Sequence, residues 1–144
     1  MNTSGHFLLR IPDLLYEEML AHAIGELPNE CCGLLVGTIN DEGTVGEVTH
    51  RYPLVNALQS ATEFLSEPKN MFAAQKDMRS RGIKELAVYH SHPSTAPTPS
   101  KRDLERNYAI SVMNLIIGFA GGSPEVRGWW LTDESFYEGE WEVV

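Results

Sequence analysis

The chain has 144 residues, 42% hydrophobic and 22% charged, which suits one globular core and excludes a long disordered or collagen-like chain. Eleven Lys and Arg against twenty Asp and Glu leave a formal net charge of −9, which repels phosphate backbones and argues against nucleic-acid binding. No run of about 18 apolar residues suggests a membrane span, and MNTSGHFLLRIPD lacks the basic-then-apolar order of a signal peptide. The expectation is a single soluble, cytoplasmic domain over residues 1–144.

Phe7 to Ile11 is a short apolar segment and is expected to form an edge strand. Asp13 is placed to cap a helix starting at Leu14, with Leu15, Met19 and Ala23 on its apolar face and an end near Gly25 to Pro28. CCGLLVGTI, from Cys31 to Ile39, is a continuous apolar run suited to a strand buried on both faces. The turn Asn40-Asp41-Glu42-Gly43 joins it to a hairpin partner over Thr44 to Tyr52. Thr62 to Leu65 is a further short strand candidate. Glu67 to Arg81 is predicted helical, with Pro68 in its first turn, an apolar set of Met71, Phe72, Gln75 and Met78, and Gly82 at its end.

KELAVYHSH, from Lys84 to His92, follows as a strand, and Ser100 to Tyr108 as a capped helix. Val112 to Ala120, Val126 to Thr132 and Ser135 to Val143 are predicted as three successive strands, with turns at Gly121-Gly122 and Asp133-Glu134. Trp129 and Trp130 point to opposite faces of their strand, so only one is expected in the core. The sum is a mixed α/β (α+β) domain: a single, largely antiparallel central sheet flanked by about three helices.

Adjacent Cys31 and Cys32 are poorly placed to bridge each other, which points to a reducing compartment and to small buried strand residues rather than a disulfide or a nucleophile. Among five histidines, only His90 and His92 stand at a spacing with chemical meaning. Side chains at i and i+2 on a strand share a face, so two imidazoles can lean onto one ion. Asp103, in the first turn of the next predicted helix, completes a His, His, Asp set that suits Zn²⁺ with a fourth position open for water. A plainer account also exists. Two histidines on a strand are commonly ordinary residues, and Ser100 with Asp103 forms a capping box that needs no metal. Joint occurrence of the whole pattern, His-x-His, seven residues, Ser, two residues, Asp, arises by chance in about 4 of 10,000 such sequences.

HSHPSTAPTPSKRD resembles the signature of the JAMM (MPN+) zinc metalloprotease family, and NECCGLLVG resembles that family's glutamate-bearing strand. The similarity in element order runs from Leu8 to about Thr132. The resemblance implies a JAMM, cytidine-deaminase-like fold in which His90, His92 and Asp103 hold one Zn²⁺ per chain. It further implies that Glu30 acts as general base and that Ser100 donates its hydroxyl to the developing oxyanion. Without the resemblance, Glu30 would pass for a solvated acid before a strand.

The resemblance also implies cleavage of peptide or isopeptide bonds after the glycine tail of a ubiquitin-like protein. Seven residues between His92 and Ser100 and 41 after Asp103 leave little room for long insertions. The chain is therefore more similar to compact prokaryotic members that process sulfur-carrier proteins. A deubiquitinase-like isopeptidase and a non-catalytic scaffold are the alternatives. Compact members also pair, so a homodimer using residues around Trp129, Trp130 and Phe136 is expected on resemblance alone.

Overall fold

The computed structural model describes residues 6–106 and 111–144. Eleven elements run in the order β1 (Leu8–Ile11), α1 (Asp13–Glu26), β2 (Cys32–Ile39), β3 (Val45–Leu54), α2 (Pro68–Arg81), β4 (Lys84–His92), α3 (Lys101–Glu105), β5 (Met113–Gly118), β6 (Glu125–Leu131), β7 (Phe136–Glu138) and β8 (Trp141–Val143). The strands form one sheet in the order β7-β6-β5-β4-β2-β3-β1-β8. Four neighbouring pairs are antiparallel and three, β1–β3, β1–β8 and β4–β5, are parallel, as a mixed sheet requires. Only Gly139 and Glu140 separate β7 from β8, yet these strands form opposite edges of the sheet. Two residues reach at most about 10 Å beyond the strand ends, so the sheet has to curl until its edges approach.

Helices cover both faces. Met19 and Ala23 of α1 pack with Leu35, Ala87, Leu115 and Trp130 on one side. Ala74 and Met78 of α2 pack with Cys32, Leu34 and Val88 on the other. This layering explains why β2 reads as an unbroken apolar run, since alternate residues of the strand enter different cores. Both tryptophans are buried for the same reason: Trp130 lies in the α1-side core and Trp129 packs with Ile116, Leu131 and Leu104 on the opposite side. Neither is available for a contact between copies, and Phe136 is 38% exposed.

Several local expectations need correction. β1 is internal because β8 adds to its outer side, so the edge falls to the C-terminal strand. Asp13 is the first helical residue, without a capping bond; the Pro12 carbonyl accepts the Tyr16 N–H instead. Phe72 is exposed, while Ala74 and Met78 face the core. Thr62 to Leu65 forms no strand; Asn56 hydrogen-bonds the loop there, and only an isolated bridge joins Asn56 to Ser66. The expected final strand is two short strands, and the helix after Ser100 spans Lys101–Glu105, with Tyr108 outside the described residues. No helix among the described residues is long and apolar enough to cross a membrane.

Candidate metal centre

The alternation of β4 turns His90 and His92 to the α2 side and Tyr89 and Ser91 to the α1 side. Parallel pairing with β5 sets His90 against Ile116 and His92 against Gly118. Antiparallel pairing sets His90 against Cys32 of β2, and the Ser91 N–H donates to the Cys31 carbonyl. Glu30, two residues before Cys32, interacts electrostatically with His92 and lines the same opening.

Asp103 arrives through a local device. Ser100 Oγ accepts the Asp103 N–H at 3.1 Å while Asp103 Oδ2 accepts the Ser100 N–H at 2.9 Å, a reciprocal capping box at the start of α3. The cap therefore points the Asp103 carboxylate back towards the sheet. His90 Nε2 lies 3.3 Å from His92 Nε2 and 3.1 Å from Asp103 Oδ1, and His92 Nε2 lies 3.2 Å from Asp103 Oδ2. A tetrahedral ion with ligands at about 2.0–2.1 Å has edges of about 3.3–3.4 Å, which the His90–His92 separation matches; the two Asp103 distances run to different oxygens, and one donor atom from each residue lies within 4.8 Å of the others, near enough to share one Zn²⁺. The sequence-predicted capping box and ligand set are the same residues.

Hydrogen bonds fix the orientation of His92. Its Nδ1 donates to the Ala96 carbonyl at 2.9 Å, because a carbonyl only accepts, and this fixes the ring with Nε2 turned towards Asp103 and His90. Burial works against a charged His92, but the Asp103 carboxylate and the Ala96 carbonyl outweigh it and raise its pKa. For Asp103, burial again opposes charge; His90, His92 and the Ser100 N–H prevail and hold its carboxyl below the usual range. His90 stacks on Phe64 with ring centres 4.6 Å apart. Its buried Nδ1 has no partner among the described residues.

Glu30 is 5% exposed. Burial pushes its carboxyl up to about 8, an effect the Asp103 carboxylate adds to and His92 partly opposes. Its backbone is tied on both sides: the N–H donates to the Ser60 carbonyl and the carbonyl accepts from Asn56 Nδ2. Two openings meet at this residue. One, lined by Phe64, Val88 and Val112, reaches His90 and Asp103; the other, lined by Pro93, Ser94 and Thr95, reaches His92 and Ser100. The five residues expected from the sequence thus line these two openings, with Glu30 common to both.

Phe64 and Asn56 were not foreseen. Asn56 is buried, and its side chain also donates to the Glu63 carbonyl and accepts from Leu58 N and Leu65 N. A loop of mixed composition carries no periodicity to mark either residue. Cys31 and Cys32 are buried free thiols with pKa values pushed up to about 12 by burial, which suits small core residues and not a nucleophile.

Residues 12–132 match the family described as prokaryotic homologs of the JAB domain. The chain belongs to this family. A protein of Desulfitobacterium hafniense, solved in solution, shares 35% identity and superimposes with a TM-score of 0.84 over 95% of this chain and 93% of that one. A Salinibacter ruber protein does so at 25% identity with a TM-score of 0.71, covering 95% and 92%. Among named relatives, the probable TtuB-protein conjugate cleaving protease of Thermus thermophilus is 36% identical over 68% of this chain and 62% of its own length. The desampylase of Pyrococcus furiosus is 29% identical over 74% and 69%. The CysO-cysteine peptidase of Mycobacterium tuberculosis is 30% identical over 69% and 65%. The matched segment therefore spans under two thirds of the Thermus and Mycobacterium proteins.

Proposed function

We propose that this JAB-family chain is a zinc-dependent peptidase or isopeptidase that cleaves after the C-terminal glycine tail of a ubiquitin-like or sulfur-carrier protein. The observation that carries the reading is the convergence of His90 Nε2, His92 Nε2 and the Asp103 carboxylate within 3.1–3.3 Å of one another, in a cleft that also holds a buried Glu30. The names of the relatives, which cleave TtuB conjugates or a CysO-cysteine bond, support the substrate class. A glycine tail lacks side chains and can reach a recessed centre that bulkier sequences cannot. A cytoplasmic location is part of the proposal, supported by the two buried, unbridged cysteines.

His90, His92 and Asp103 would hold the metal. Bound Zn²⁺ supplies a Lewis acid that polarises the scissile carbonyl and makes water acidic enough to deprotonate near neutrality. Glu30 takes a proton from the attacking water and returns it to the leaving amine; a cation held beside it would favour the charged carboxylate that accepts the proton. Ser100 performs two tasks without conflict. Its oxygen lone pair accepts the Asp103 N–H, while its hydroxyl hydrogen stays free to donate to the oxyanion. His92 is kept by the Ala96 carbonyl in the orientation that ligation needs.

Native mass spectrometry of the wild type and of Asp103→Ala tests the centre. One zinc per wild-type chain, lost or strongly weakened in the variant, is the expected result. Zinc-loaded wild type is then offered ubiquitin-fold carriers extended beyond a Gly-Gly tail. Cleavage after the final glycine is expected. Loaded protein that leaves every such fusion intact while cutting an unrelated peptide would overturn the substrate assignment, and a wild type that binds no zinc would leave the scaffold reading in front.

A further inference from the structure

The segment Pro93–Arg102 joins the second histidine of the centre to its carboxylate, and prolines at 93, 97 and 99 deprive it of three backbone donors. With few internal backbone bonds available to it, the segment also takes support from outside. Trp129 of β6 provides it. Its indole Nε1–H donates to the carbonyl of buried Pro97 at 2.8 Å. From below, Gly118 of β5 lies so close that a Cβ there would stand 2.4 Å from Pro97 N and 2.8 Å from the Ala96 carbonyl carbon. The neighbouring Ala96 carbonyl is thereby presented to His92, and it uses both lone pairs, accepting His92 Nδ1–H at 2.9 Å and the Thr98 N–H at 2.8 Å.

The indole is itself held in place. Phe136 meets its ring edge-on at 5.3 Å between centres, and the Arg127 guanidinium lies over it at 4.6 Å. Leu104, the residue after Asp103, packs against the Ile116, Trp129 and Leu131 cluster. Trp129 consequently supports the connection between the two ligands at both ends.

We propose that Trp129 is a positioning residue for the metal centre: its indole N–H on Pro97 sets the Ala96 carbonyl that accepts from His92 Nδ1–H and orients the ring, and the cluster it belongs to backs the helix that carries Asp103. The zinc part of this proposal rests on the reading that His90, His92 and Asp103 bind Zn²⁺; the part about the His92 Nδ1–H bond does not.

Trp129→Phe keeps an aromatic ring in the cluster and deletes the donor. In the full chain, zinc affinity is measured by competition with a chromophoric chelator, and the protection of the His92 Nδ1–H from solvent exchange by ¹H–¹⁵N spectra of the metal-free protein. The expected result is a zinc dissociation constant about tenfold weaker, with the His92 Nδ1–H no longer protected from exchange. A variant with wild-type zinc affinity and an unchanged His92 spectrum overturns the proposal, as does one that loses thermal stability alone. If the wild type binds no zinc, the metal reading fails, while the His92 spectrum still decides whether Trp129 sets the ring. Should Trp129→Phe not fold, Gly118→Ala displaces the same loop from the other side; both losses are expected there, and unchanged values overturn the proposal.

Discussion

Glu30 answers to two opposed demands. Its burial serves proton transfer, yet it destabilises the folded chain whenever the carboxylate is charged. In the metal-free protein its pKa rises from 4.5 to about 8 on folding. Between those values the unfolded chain binds fewer protons than the folded one, so this contribution to stability is complete below 4.5 and is lost as pH rises to 8. Glu30→Gln is therefore expected to abolish turnover while zinc stays bound. The metal-free variant should melt at least about 5 °C above wild type at pH 8 and level with it near pH 4.5. Equal melting temperatures at both pH values would show that Glu30 is not strained by burial. Ser100→Ala separates the two tasks of that hydroxyl. The lost cap should lower stability by about 1 kcal/mol, whereas the lost oxyanion donor should reduce kcat by about 10²–10³. A rate loss no larger than the stability change predicts would restrict Ser100 to capping.

At the scale of elements, the β2–β4 pairing decides whether Glu30 meets the histidines. Gly33 lies opposite Tyr89 in that register, and the Tyr89 ring crosses the glycine so closely that a Cβ would fall 2.2 Å from Tyr89 Cζ. The Tyr89 hydroxyl is in turn held by His22 Nδ1 at 2.7 Å and Arg51 Nη1 at 2.9 Å, on the face away from the metal centre. The ring has little freedom to yield. Gly33→Ala should destabilise the fold by about 2 kcal/mol or more, read as a lower urea midpoint with an unchanged slope. Activity should fall with it, because displacement of Tyr89 moves the strand segment that bears His90. Helix α2 shows the opposite economy, with conventional signals at both ends. Glu67 accepts from Lys69 N and Asn70 N, Pro68 opens the first turn, and Gly82 at φ +68° closes the last. These local devices made its limits legible before any tertiary contact was known.

For the whole molecule, the C-terminal strand β8 completes the sheet. It covers the outer side of β1, and Trp141 stacks on Tyr16 of α1 with ring centres 5.7 Å apart. Arg10 of β1 pairs with Glu47 on one side and Glu142 on the other, so the parallel trio is laced by charge as well as by backbone bonds. These exposed pairs contribute little individually; the indole contributes more. Trp141→Ala should cost about 2 kcal/mol, less than the 3–5 kcal/mol of a fully buried aromatic, and should leave zinc binding unchanged because it is remote from the cleft. Parallel loss of zinc would mean that sheet closure and the metal centre are coupled.

Residues close in sequence determined much of this protein by themselves. The i, i+2 spacing of His90 and His92 puts two imidazoles on one strand face, and the Ser100–Asp103 capping box aims a carboxylate, because both follow from short-range backbone geometry. The apolar run of β2 likewise announced a strand buried on two sides. Glu30 was legible only through its resemblance to a family strand, since an isolated acid before an apolar run carries no spacing signal. Tertiary structure alone decided the rest: the addition of β8 outside β1, the burial of both Trp129 and Trp130, and the contacts of Asn56 and Phe64. The strand addition, the tryptophan burial, the Phe64–His90 stack and the Asn56 bond to Glu30 depend on closing the chain over long separations, and are favourable only once the curled sheet has brought its faces and edges together; the other Asn56 bonds are local but carry no periodic signal.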